Sequence, residues 1–592
     1  MFNQKKWLEL ISKALKSISS IDPRSLALFR IGISIALILD LIQRIPFIQA
    51  FYTDQGILPR FAVLMNYANP ARISIHAASG ELWFQVILFI IAFVFAIFLL
   101  VGYRTKLSSI VSWVLLFSLH NRNELVLQGG DNLFHIVLFW SMFLPLSEVW
   151  SLDSIWFETK KASKKAISSV ASLAFLVQIA CALFFAALLK TGNEWTTDLT
   201  ASGIALRVNY LSTGFGRFLL QFPELLKTST AALYYIEFFA PILLFIPYKN
   251  WIFRSIALPF VFLMLFSFGL GLHIYLFPWI FIVSYFAFIP SEFWNWIEKK
   301  TVPTEKLTFY YDEECSFCTS AACALDHKMH TVSGQSKADT KKLMHEQDSF
   351  IIEDEKGKRY LKFDAILKVG ATWPLTKWLV PYFSKGFLYN LGTAFYEIIA
   401  KNRHKISNLI DWLKKPTGFK IPEYITQAIA AFLLVYIIIW NVGERLPDYK
   451  IPEPLDKIAW TLGLNQRWDM FAPHPMSVSG WFVIPGELGD GTKVDVFNKQ
   501  VGTPNEEQTY NLPADMDSQS WRKYFTDFLP DGNSKVQEYF AGYMCRRWNN
   551  DVSDKTPEKR LHTFEIFQIK RTATAEAYSQ PTKVSLWSHR CY

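Results

Sequence analysis

Leu307-Thr-Phe-Tyr-Tyr-Asp-Glu-Glu-Cys315-Ser-Phe-Cys318 places two cysteines, spaced C-x-x-C, at the end of a short β-rich run. Thr319 to Lys328 then read as a helix. Unpaired N–H groups at a helix N-terminus carry positive potential, which lowers a thiol pKa toward a reactive thiolate. The spacing also suits a disulfide or a shared metal. No second C-x-x-C or Cys/His pair follows at ligand spacing, so no metal is expected. The pair therefore reads as a redox dithiol, with an inert structural pair as the alternative. Cys315 is expected to be the more exposed nucleophile and Cys318 the resolving thiol. Asp312 would tune the pair or hold the strand–helix turn.

Apolar spans lie on both sides of this stretch. Eight precede it, at roughly 26–45, 82–101, 107–120, 133–149, 167–189, 230–247, 252–271 and 273–291, and a ninth lies at 424–442. Runs of about 17–25 apolar residues are long enough to cross a bilayer. No cleavable signal peptide is evident. Residues 1–24 are basic, and Trp7, Leu8, Ile11, Leu15 and Ile18 recur at helical spacing, a pattern that suits an interfacial helix.

The net charge of +9 collects in short loops. Arg104 and Lys106, then Lys160, Lys161, Lys164 and Lys165, then Lys249 and Arg254, then Lys299 and Lys300 fall on alternate sides of the spans. The lipid bilayer is thus the expected partner, and no nucleic acid is needed to explain the charge. Loops rich in Lys and Arg stay inside. This predicts a multi-pass protein of the inner (plasma) membrane, with the N-terminus and the dithiol region cytoplasmic and the C-terminal region outside. Cys315 and Cys318 then sit in a reducing compartment, where a protein thiol partner is expected. Cys545 and Cys591 sit in an oxidising one, where a disulfide persists. Cys181 reads as a packing residue and Cys323 as a bystander.

The fold class that follows is mostly α. Residues 1–300 form a polytopic helical membrane bundle, 305–412 an inserted α/β dithiol domain, 424–442 a ninth transmembrane helix, and 445–592 a β-rich α+β domain. In the last block, Trp481 to Phe497 reads as two alternating strands around Gly489-Asp-Gly491. Residues 518–528 and 534–548 have helical periodicity, while 562–571 and 583–588 return to strand.

Ionisable groups inside spans are costly and are functional hypotheses by default. Asp131 and His135 lie one turn apart in span four, and Lys190 ends span five, followed by Glu194 and Trp195. Glu237 lies in span six ahead of Pro241, and His273 at the junction of spans seven and eight. On the topology above, all five face the outer half of the bilayer, which predicts one polar pocket opening outward. The plainer readings are a snorkelling Lys190 and packing histidines.

Two family resemblances bear on these residues. Asp312, Cys315 and Cys318, with Phe363-Asp-Ala-Ile-Leu367 and Phe395 to Arg403, resemble the DCC family of thiol–disulfide oxidoreductase-like domains over about 305–412. That resemblance implies a thioredoxin-like fold. Leu28-Phe-Arg-Ile-Gly-Ile-Ser34, Gly129-Gly-Asp-Asn-Leu133, Phe139 to Leu146 and Lys190-x4-Trp195 resemble the horizontally transferred transmembrane (HTTM) domain. That domain is similar to the membrane part of vitamin K-dependent γ-glutamyl carboxylase, in which a lysine followed five residues later by tryptophan acts as base on the reduced vitamin. Lys190 and Trp195 match that spacing, which implies a quinone or hydroquinone as the lipophilic ligand. Asp131 stands where the carboxylase has histidine, and the span near 273 aligns only with an offset. Glutamate carboxylation is therefore not implied.

The resulting expectation is a membrane redox enzyme. Thiol–disulfide exchange would occur at Cys315 and Cys318, and Lys190 would act as base in a pocket lined by Asp131, His135, Trp195, Glu237 and His273. The competing readings are a non-catalytic anchor, receptor or assembly factor, and a transporter. The last is weakened by the lack of inverted repeats.

Overall fold

The computed structural model describes residues 4–591 except 67–72, 157–164, 302–304, 327–328, 375, 415–421, 447–448, 450, 508–511 and 531–533. Lys160, Lys161, Lys164 and Lys328 lie outside the described residues. The chain forms two compact units. One comprises Met1–Leu146, Lys165–Ile289 and Glu423–Tyr592, the other Ser147–Lys164 and Pro290–Pro422.

In the first unit each predicted apolar segment contains a helix. Among the described residues, five helices are long and apolar enough to cross a membrane: Pro23–Tyr52, Leu82–Val101, Val170–Leu189, Asn250–Gly271 and Glu423–Arg445. They are compatible with a multi-pass membrane protein. The remaining helices fall short for readable reasons. Thr105–Arg122 buries Ser108, Ser109, Ser112 and Ser118, and Pro223–Leu244 carries Glu224, Lys227 and Glu237. Gly129–Ser141 stops well before the expected residue 149, in the turn leading to Pro145. The span expected from 273 begins only at Phe277, because His273 is held in a loop by its N–H bond to Leu211 O (2.6 Å).

Local chemistry accounts for the helix boundaries. Asp22 caps Pro23–Arg44 by accepting from Arg24 N (2.8 Å), and Pro23 starts the helix with φ already set. Along Leu82–Val101, Leu88, Phe89, Ala92, Ala96 and Leu99 are buried at helical spacing. Ile87, Ile90, Ile91, Val94 and Ile97 are exposed on the same helix. A helix apolar on its exposed side as well is suited to lipid.

Beyond the last long helix, the C-terminal region folds onto one end of the bundle and belongs to the same unit. Its antiparallel sheet runs Gln500–Val501, Lys493–Asp495, Pro485–Leu488, Leu561–Thr572 and Thr582–Arg590, with Val478–Val483 also on Leu561–Thr572. Gly491 supplies the positive φ (83°) that the Gly489-Asp490-Gly491 turn requires. Helix Ser534–Asn549 is tied to the chain end by a Cys545–Cys591 disulfide. The attachment to the bundle is aromatic and polar: the Trp521 ring lies tilted against Phe51 (4.8 Å between centres), and Asn209 Nδ2 donates to Gly480 O (2.9 Å).

The second unit is built on a four-stranded sheet in the order His330–Ser333, Thr308–Tyr311, Ile351–Glu353, Arg359–Leu361. The first pair is parallel, joined by helix Ser316–Leu325, and the others are antiparallel. Alternation along Thr308–Tyr311 sends Phe309 into a core with Ala322, Ile352 and Ala365, and Tyr310 into one with Met344 and Ile351. Helices therefore cover both faces. The longest, Gly386–Leu413, follows Lys362–Thr372 in this unit.

Candidate functional sites

The strand Thr308–Tyr311 delivers Cys315 to the N-cap of Ser316–Leu325. Its sulfur accepts from Cys318 N–H (3.3 Å) and from Ser407 Oγ–H (3.6 Å). Ser407 lies on Gly386–Leu413 and also accepts from Phe317 N–H (3.2 Å). The Cys315 thiol is pushed down to about 5, chiefly by the hydrogen bond from the Cys318 thiol, then by Ser407 and the Cys318 and Phe317 amides, against the opposing effect of burial. Cys318 moves the other way, raised by its hydrogen bond to Cys315, by burial and by the Cys315 charge.

One expectation is overturned here. Cys315 is only 4% exposed and Cys318 is half-buried, so Cys315 is not the more exposed thiol. The long helix covers it through Ser407. Asp312 holds the turn: its carboxylate accepts from Glu314 N–H (3.1 Å) and its carbonyl from Cys315 N–H (3.4 Å).

In the bundle, Lys190 ends helix Val170–Leu189 and forms a buried ion pair with Glu237 of Pro223–Leu244. Its Nζ lies 4.9 Å from the centre of the Trp195 ring. These three residues line a cavity of about 150 Å³ whose walls are otherwise mostly apolar, among them Leu233, Leu265 and Phe268. Met470 and Phe471 of the C-terminal region complete it. They are held there by Trp195 Nε1 donating to Phe471 O (3.0 Å) and Gly192 N donating to Pro473 O (3.0 Å). Trp468 and Gln466 lie in the same segment, and Gln178 Nε2 donates to Gln466 Oε1 (2.6 Å).

Asp131 and His135 are not in this cavity. Asp131 pairs with Arg44 (2.5 Å), which also binds Asp40 (2.8 Å) and Tyr52 OH (2.9 Å). Its second oxygen accepts from Gln128 N–H (3.0 Å), which caps the Gly129–Ser141 helix. His120 Nε2 stands 3.5 Å from Asp131, and the Nδ1 atoms of His120 and His135 are 3.4 Å apart. This network borders a smaller cavity of about 50 Å³ lined also by Tyr275 and Gln519. Ile274 and Phe277 line both cavities. His273 lines neither. The expected single pocket is thus two neighbouring sites, with His273 outside both.

Sequence reading missed Ser407, Arg44, His120, Met470 and Phe471. Arg44 was hidden at the end of span one, where a basic residue passes for a loop charge. Ser407 and Phe471 carry no local signal at all.

Residues 309–409 match the family described as DCC1-like thiol-disulfide oxidoreductase, so the chain carries such a domain around the dithiol. No curated protein and no solved structure matches the chain.

Proposed function

We propose that the protein is a membrane-embedded thiol–disulfide oxidoreductase whose exchange site is Cys315 and Cys318. The observation that carries this is the convergence of the Cys318 and Ser407 donors on the Cys315 sulfur. The Cys315 thiolate attacks a partner disulfide, forming a mixed disulfide and releasing one partner thiolate. That step removes the negative charge and the acceptor that hold the Cys318 thiol protonated. Cys318 then loses its proton and attacks Cys315, closing the intramolecular disulfide and releasing the second partner thiol. The partner is left reduced and the enzyme oxidised. The parallel strand–helix–strand unit followed by a hairpin supports reading this domain as thioredoxin-like.

Replacing Cys318 by Ser in the full chain should leave a mixed disulfide at Cys315, read by non-reducing electrophoresis and mass spectrometry. A variant that traps no partner, with a parent that exchanges with no disulfide substrate, would favour the non-catalytic anchor.

A second reading concerns the bundle, and the buried Lys190–Glu237 pair beside an apolar cavity favours it. Lys190 acts there as base toward a quinone-like ligand, as the resemblance to the HTTM and carboxylase membrane domains implies. Extraction of the purified protein should recover a bound lipophilic redox molecule. We place the N-terminus and dithiol domain in the cytoplasm and the C-terminal region outside, on the alternating Lys/Arg loops.

A further inference from the structure

Helix Gly386–Leu413 has two apolar stripes. One carries Ser407 and Ile410 and is buried in the dithiol unit. On the opposite side Phe387, Leu391, Phe395, Ile398, Leu409 and Trp412 recur at helical spacing, and each is more than half exposed. Surface apolar residues scattered singly are ordinary, but a stripe running the length of a helix marks a surface that something covers.

We propose that this stripe lies in the headgroup region of the bilayer, docking the dithiol unit on an anionic membrane surface. Connectivity favours lipid as the occupant. Leu413 is followed by nine residues before Glu423 opens a helix able to cross the membrane. A fully extended tether of that length reaches at most about 30 Å. Helix Ser291–Lys300 of the same unit also exposes Phe293 and Trp296, with Lys300 Nζ 4.3 Å from the centre of the Trp296 ring. Aromatic side chains beside lysines are the composition that settles at the lipid–water interface.

Charge points the same way. Exposed Lys401 and Lys405 lie on the apolar side of the long helix. Residues 361–414 hold eight Lys and Arg against three Asp and Glu. Anionic headgroups satisfy that basic rim. A second copy of the chain would set like charges against each other across a two-fold interface.

The test uses the full chain in vesicles of phosphatidylethanolamine and phosphatidylglycerol. The photoreactive amino acid p-benzoylphenylalanine replaces Phe387, Phe395 or, as a control off the stripe, Glu397. Lipid adducts identified by mass should form several-fold more at Phe387 and Phe395 than at Glu397. Combining the Phe395 probe with Lys401→Glu and Lys405→Glu should lower its lipid adduct several-fold. Equal adducts at all three positions, or cross-links mainly to protein, whether a second copy or another chain, would overturn the docking. An adduct unchanged by the lysine reversals would overturn its anionic-lipid basis.

Discussion

Cys315 is where the sequence-based expectation and the structure diverge most usefully. A cysteine at a helix N-cap is expected to be acidic, yet here the largest effect comes from its partner thiol and the next favourable one from Ser407. Alkylation of Cys315 should therefore rise with pH about a midpoint near 5 rather than that of an ordinary thiol, and Ser407→Ala should move the midpoint upward. Mass spectrometry of the modified peptide across pH would measure both. The linked stability has a definite sign. The unfolded thiol, with a pKa of about 8.5, holds its proton where the folded one has lost it, so the reduced domain gains stability as pH rises from about 5 to that value and loses it as pH falls. Lys190 carries a second residue-level consequence. Were it an unpaired ammonium, its removal would leave folding intact; it is paired with Glu237 instead. Lys190→Met and Glu237→Gln should each cost about 3–5 kcal/mol by stranding a buried charge, and the double change should recover part of that. Thermal unfolding in detergent would compare the three variants.

Among the elements, the stretch from Gln466 to His474 decides most about the bundle site. It belongs to no helix or strand, yet Trp468 is 2% exposed and Phe471 closes the cavity beside Lys190. Trp468→Ala should cost about 3–5 kcal/mol, the range for truncating a buried tryptophan. Because this stretch joins the bundle to the C-terminal sheet, near-UV and far-UV circular dichroism should report the loss together, as one transition. The Cys545–Cys591 bridge acts at the far end of the same region, closing a loop with a sequence separation of 46. Replacing both cysteines with alanine should lower stability by about 2–4 kcal/mol, read from the midpoint of thermal unfolding without reductant.

For the molecule as a whole, the five membrane-compatible helices among the described residues lie in one unit and the dithiol in the other. On the proposed orientation the exposed Cys323 serves as a reporter of sidedness. In intact cells it should react with a membrane-permeant maleimide and not with a charged, impermeant one until the membrane is opened. Labelling by the impermeant reagent at the outset would invert the orientation.

Local pattern was enough to find the five long apolar helices, a helix directly after the dithiol strand, and the Gly489-Asp490-Gly491 hairpin. Each is set by side chains within one or two turns of one another, through hydrophobic period, capping or backbone freedom. Proximity between distant segments was not legible, and the sites are made of it. Ser407 reaches Cys315 across 92 residues, Arg44 reaches Asp131 across 87, and Trp195 holds Phe471 across 276. Periodicity tells which face of a helix is buried but not which neighbour covers it. Five ionisable residues on a shared side of the spans therefore looked like one pocket. Packing set Asp131 in one cavity and Lys190 and Glu237 in another, and left His135 and His273 in neither, because Arg44 drew Asp131 toward helix Pro23–Arg44 while Glu237 held Lys190 against Pro223–Leu244. An ion pair forms only with the partner that the tertiary fold brings within reach.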